Sequence, residues 1–294
     1  MIGTKDRPLW LHATSDGSAA LFLIPPLTRE LDPQVIFDIN VHLHYRMADP
    51  TDILLQIEAA ELPDQPLHHA NIDLSDTAYF ARTLAEDGIG NRIWMQVQGD
   101  FVCDYTSRVE VTRPVPDLSN LQTGPLHLLP GDVFKYLMPS RYCPSDEFQS
   151  YVFEEFGHLS GGARVVAIRD WIEGHFRYLP GVSTSQTTAL DTFVQRQGIC
   201  RDFAHVLITL ARASAIPARF CSVFAPGVTP QDFHAVAQVY LDGAWHLVDP
   251  TGMASADSIA IIGVGQDAAH VAFLTSFNYA QLLEQTVSID VPNL

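Results

Sequence analysis

The chain has 294 residues, 47% of them hydrophobic and 17% charged, with a formal net charge of −17. That balance provides for one large core or two ordinary ones and excludes a disordered or fibrous chain. The excess of acid leaves no basic stripe, so neither a nucleic acid nor an anionic membrane surface is expected as a partner.

The opening stretch, MIGTKDRPLWLHATSDGSAALFL, lacks a basic region followed by an unbroken apolar segment and a small-residue cleavage site, so no secretory signal is read there. No apolar run reaches the ~18 residues of a membrane span. From about residue 34 to 113 the texture is that of strands. Phe37, Ile39, Val41, Leu43 and Tyr45 alternate with Asp38, Asn40, His42, His44 and Arg46, the period of a sheet with one wet face. Turns are expected at Asp87-Gly88, Gly90-Asn91 and Gly99-Asp100, giving an antiparallel β-sandwich over residues 1–115. His42 and His44 share a strand face, but no third ligand accompanies them, so they read as polar surface; nothing resembles a calcium loop of closely spaced carboxylates, and no metal is expected.

Prolines at 114, 116, 125, 130, 139 and 144 exclude a long helix from the next segment, a connector over 116–144. Helical texture follows in the third segment, 145–294. In GARVVAIRDWIEGHFRY, Val165, Ile168, Trp171, Ile172 and His175 recur at three- and four-residue steps. Thr188 stands three before Asp191, the spacing of a capping box, and Gly198 is placed to stop that helix.

Immediately afterwards, GICRDFAHVLITLARASAIPARF places Cys200 where an apolar helical run begins. A thiol there lies on the unsatisfied N–H groups of the first turn, at the positive end of the helix dipole, a setting that favours thiolate and can hold an oxyanion. Asp202 is read as a cap for that turn and Arg201 as a salt-bridge former. His205 lies about 140° around the helix from Cys200 and should face elsewhere. Cys103, Cys143 and Cys221 read as buried packing. The four cysteines lie far apart without C-x-x-C pairing, which fits a reducing, cytoplasmic compartment rather than a disulfide framework.

DFHAVAQVYLDGAWHLVDPTG reads as a strand, a two-residue Asp242-Gly243 turn and a returning strand. Centring the turn on 242 and 243 pairs residue 234 near 251, so His234 and Asp249 meet at one end of the hairpin. Adjacent strands lie about 4.8 Å apart, within reach of an imidazole–carboxylate hydrogen bond.

GICRDFAH followed by FHAVAQVYLDGAWHLVDPTG resembles the transglutaminase-like superfamily. The resemblance implies a papain-like α+β core, helices packed on an antiparallel sheet, with Cys200 as nucleophile, His234 as base and Asp249 as the group that orients it. EDGIGNRIWMQVQGDF and SRVEV, with MPSRYCPSDEF and IGVGQDAAHVAF, are similar to the β-rich N-terminal region and the connecting and trailing segments of bacterial transglutaminase-like cysteine proteases. Val236 and Gln238 stand where members often carry Trp and Glu. The chemistry implied is acyl transfer on peptide or isopeptide amides without a cofactor, with hydrolysis expected, the alternatives being amine transfer and a catalytically silent protein-binding module. The Cys200 N–H would supply one oxyanion donor. Gln195, Gln197, Trp171 and Tyr178 are all open for the second. The 252–294 segment can either complete a sheet or shield the cleft.

Overall fold

The computed structural model describes residues 34–292, and the opening stretch, where no secretory signal is expected, lies outside them. Two strands of 21 residues form the spine of the first sheet: β1 (Val35–Leu55) and β4 (Asn91–Val111), antiparallel along nearly their whole length. The shorter β2 (Leu67–Leu74) and β3 (Tyr79–Leu84) share the far edge of β4. The reversal expected near Asp87 and Gly90 is present: both residues take positive φ and lead β3 back into β4.

At Gly99 the chain does not reverse. Although Gly99 adopts φ +83, β4 runs straight through it, and the irregularity is a bulge in which residues 48–50 of β1 lie opposite Gln98 alone. Three residues against one keeps the alternation in phase, so Phe37 to Met47 and then Ile53 and Leu55 all bury the same face. The two halves of the sheet thereby share one core, in which Phe37, Ile39, Leu43, Ile53, Ile93 and Phe101 take part. On the outer face His42 and His44 meet Asp104 and Asp100 of β4, at 2.7 and 3.1 Å.

The connector folds into short 3-10 turns, consistent with its prolines. Its Leu118 and Leu121 carbonyls approach Gly162 so closely that a Cβ there would stand 1.6 Å from Leu118 O, which accounts for a glycine at that helix start. The helices are α1 (Gln149–Phe156), α2 (Gly161–His175), α3 (Ala189–Gln195) and α4 (Cys200–Ala213). A two-residue parallel pair, β5 (Arg177–Tyr178) with β6 (Gln197–Gly198), links α2 to the start of α4. The second sheet has the order β10 (Ala260–Gly265), β7 (Ala218–Phe224), β8 (His234–Leu241), β9 (Ala244–Val248), every pair antiparallel.

Every residue of α4 from Cys200 to Arg212 except Arg201 is buried. Phe203, Val206, Leu207, Ile208 and Leu210 share a core with Ala235, Ala237 and Val239 of β8, each large apolar side chain contributing about 1.5–3 kcal/mol. Arg212 closes the other end, donating to the Ala218, Met138 and Gln266 carbonyls. The helix is thus clamped along its length, a rigid mount for whatever its first turn carries.

The last strands, β11 (Leu274–Ser276) and β12 (Gln281–Asp290), return to pair with β1 in the first sheet. The two sheets also share apolar residues: Phe224, Ala260 and Ile262 lie in the first sheet's core. Between them the fully buried amide of Gln65 bonds both the Ile261 carbonyl (2.8 Å) and the Ile261 N–H (2.6 Å), standing in for a strand partner. Among the described residues no helix is long and apolar enough to cross a membrane.

Candidate active site

Three chain segments meet at one end of the second sheet. The β8–β9 hairpin has the two-residue turn the sequence dictates, Asp242 and Gly243 at φ 46 and 78, and its register places Ala237 opposite Val248. Continued to the hairpin mouth, that register sets His234 beside the turn that follows β9. There His234 Nε2 donates to Asp249 Oδ2 at 2.9 Å.

Asp249 is held by more than the histidine. Its Oδ1 accepts from the Thr251 N–H (2.8 Å) and the Thr251 hydroxyl (2.7 Å), and its Oδ2 also accepts from the Ala254 N–H (2.9 Å). Burial alone would raise the carboxyl, but the bonds to His234 and Thr251 outweigh it and hold the group below the usual carboxylate range. For His234 the same contest runs with opposite sign. Burial disfavours the imidazolium, yet the bond to Asp249 and the facing Cys200 raise its pKa to about 9.

The other ring nitrogen, Nδ1, is buried and has no closed hydrogen bond; it faces Cys200. Such contacts are often long before substrate arrives. Cys200 is the first residue of α4, as its place at the head of the apolar run predicts, and it is 8% exposed. Cys103, Cys143 and Cys221 differ: each is wholly inaccessible, and burial pushes each thiol up to about 12.

The first turn of α4 is fixed by Asp202, whose Oδ2 accepts from the Ile199 N–H at 2.9 Å and also from the Ser183 hydroxyl. Arg201 bonds Asp202 and the carbonyls of Thr184 and Thr187, tying the 183–187 loop to the same turn. Gly198 does not stop α3, as its sequence position suggests. Arg196, at φ 57, ends that helix with its guanidinium over Trp171 and Phe193. Gly198 serves the next turn instead, since a Cβ there would stand 2.8 Å from both Cβ and Oδ2 of Asp202. Gly198→Ala is therefore expected to cost about 1–3 kcal/mol through overpacking, read as a lowered midpoint in thermal unfolding; an unchanged midpoint would show that Asp202 yields without cost.

His205 is completely buried and faces away from Cys200. It stacks on Tyr142, its Nε2 accepts from the Ala268 N–H, and burial drives its pKa down to about 3. The capping box of α3 is formed as expected, Thr188 and Asp191 exchanging bonds.

Residues 154–250, which contain all three converging side chains, match the family model described as Transglutaminase-like superfamily. A solved structure named "Putative Cysteine Protease", from Cytophaga hutchinsonii, superposes with a TM-score of 0.84 at 30% identity, covering 89% of this chain and 92% of that one. The periplasmic domain of TgpA from Pseudomonas aeruginosa aligns at 18% identity and a TM-score of 0.40 over 72% of this chain and 76% of that one. An uncharacterized protein of Mycobacterium leprae is 32% identical over 117 residues, 37% of this chain, and the match spans only 42% of that protein's length.

Proposed function

The chain belongs to the transglutaminase-like superfamily, and from that premise we infer that it is a cysteine-dependent acyl-transfer enzyme acting on peptide or isopeptide amides, with water as the acceptor. The observation that carries this reading is the buried His234–Asp249 bond of 2.9 Å with the opposite ring nitrogen left to face Cys200. A ring so placed can exchange a proton with the sulfur and with a leaving amine, while Asp249 fixes which nitrogen does so.

In the proposed cycle Cys200 Sγ attacks the amide carbonyl carbon, and the carbonyl electron pair moves onto oxygen. The oxyanion lies against the Cys200 N–H at the positive end of α4. Collapse restores the carbonyl and breaks the C–N bond, with His234 giving its proton to the leaving amine. Water, deprotonated by His234, then opens the thioester. Hydrolysis is favoured over cross-linking because water is always present, whereas an amine acceptor needs a second, dry channel. The relative from Cytophaga hutchinsonii, named for cysteine proteolysis, supports the same choice.

Incubation with a peptide library, with and without a labelled primary amine, tests the reading. Cleaved peptides with no amine incorporated are the expected result. Amine incorporation without cleavage would replace hydrolysis by amine transfer, and no reaction of either kind would favour a binding role.

A further inference from the structure

An oxyanion held by one backbone N–H is under-supplied, and the four side chains upstream of Cys200 that could provide a second donor are separated by the fold. Trp171 lies in an aromatic cluster with Tyr151, Phe156, Phe176 and Phe193, under the Arg196 guanidinium. Gln195 is exposed at the end of α3. Gln197 turns its amide oxygen to Arg177, at 3.2 Å.

Tyr178 has a different position. The parallel β5–β6 pair sets it level with Gly198, two residues before the nucleophile, and the Leu179 N–H bonds the Gly198 carbonyl at 2.9 Å. Its ring rests against Phe203 in the first turn of α4, centroids 6.0 Å apart and tilted by 58°. The hydroxyl lies close enough to Cys200 for the backbone and the thiol there both to act on the phenol, while the residue keeps 37% of its surface open.

On the reading of Cys200 as an acyl-transfer nucleophile, we propose that the Tyr178 hydroxyl is the second oxyanion donor, completing with the Cys200 N–H a two-point site. A carbonyl carbon bonded to Sγ carries its oxygen roughly 3 Å from the sulfur, in the shell that both donors border. As the C–S bond forms and charge gathers on that oxygen, the Tyr178 O–H and the Cys200 N–H each donate to it. When the intermediate collapses the pair returns to the carbonyl and both donors are released unchanged, so Tyr178 transfers no proton. Burial, followed by the proximity of Cys200, raises the phenol above its ordinary value, which keeps it a neutral donor wherever the enzyme works. The strand pairing with β6 and the ring contact with Phe203 leave little reorganisation for the reaction to supply.

Two electrophiles separate this role from others. Iodoacetamide alkylates sulfur at a saturated carbon and forms no oxyanion, whereas p-nitrophenyl acetate acylates it through one. Tyr178→Phe should slow acylation by p-nitrophenyl acetate about 100-fold or more, followed as p-nitrophenolate release, while the rate of iodoacetamide alkylation stays within about threefold of wild type. The unchanged alkylation rate also reports an intact first turn. Equal acylation rates in the two proteins would overturn the assignment, as would a matching fall in both reactions, which would mean that Tyr178 acts on the sulfur itself. A wild type acylated no faster than Cys200→Ala would instead remove the nucleophile, and the donor with it, so failure of the underlying reading is recognisable on its own.

Discussion

Asp249→Asn should lower the rate of acyl transfer by on the order of 10³–10⁴-fold and draw the alkaline limb of the pH profile down from about pH 9. The reason lies in the four donors around that carboxylate. His234 and the Ala254 N–H use one oxygen, and the Thr251 N–H and hydroxyl use the other. An asparagine must turn its NH₂ toward one of these pairs. Placed on the Thr251 side it meets a backbone N–H. Placed on the His234 side it meets the Ala254 N–H and forces Nε2 to accept, which moves the ring proton to Nδ1 and removes the base that Cys200 faces. Either orientation leaves a buried donor unsatisfied, a cost of about 1–3 kcal/mol.

The pH shift follows from the signs. His234 is raised to about 9 from an unfolded value of about 6.5, so its contribution to stability is complete below about 6.5 and is lost as pH rises through about 9. Asp249 is lowered, so its contribution is present above the ordinary carboxylate value near 3.8 and is lost as pH falls through its folded value. Without the carboxylate charge, burial is the dominant remaining influence on the imidazole, and burial pushes it down. Activity measured across pH with wild type and Asp249→Asn checks this. A variant that loses rate but keeps its limb at about pH 9 would assign the raised value to Cys200 rather than to Asp249.

The parts of this arrangement that were legible in the sequence are those fixed by local geometry. A two-residue turn at Asp242-Gly243 determines the hairpin register, and the register alone brings His234 to Asp249. An apolar helical run that starts abruptly after a glycine determines where α4 begins, and hence that Cys200 occupies its first turn. The capping aspartates 191 and 202 were equally readable, because each acts three residues from its partner.

What sequence could not supply was contact between distant segments. Gly198 has the look of a helix stop, but its lack of a side chain answers to Asp202, four residues away in the next element. Gly99 has the look of a turn, and only the three-residue bulge of the opposing strand turns it into an irregularity in a continuous β4. The pairing of β12 with β1 joins residues about 250 apart, and no local pattern names that partner. Tyr178 is set apart from Gln195, Gln197 and Trp171 by the β5–β6 pair, which puts it level with Gly198 beside the first turn of α4. The departures at Val236 and Gln238 also have an account. Val236 is packed with Cys221 and Val223 on the sheet face away from α4, and Gln238 accepts from Arg219 at 2.8 Å.

Cys200→Ala should reduce acyl transfer to background, a loss on the order of 10⁴-fold or more, because no other group replaces an absent nucleophile. The side chain is small and the remaining three cysteines are sealed in the core with thiols raised to about 12, so the substitution leaves the fold intact and no second thiol takes over. The decisive measurement is mass spectrometry of protein quenched during reaction with p-nitrophenyl acetate. One acetyl group on the peptide that contains Cys200, released by hydroxylamine as a thioester is and missing from Cys200→Ala, is the result predicted. Acyl transfer that continues at the wild-type rate in Cys200→Ala, or an acetyl group carried elsewhere while the Cys200 thiol stays free, would contradict it.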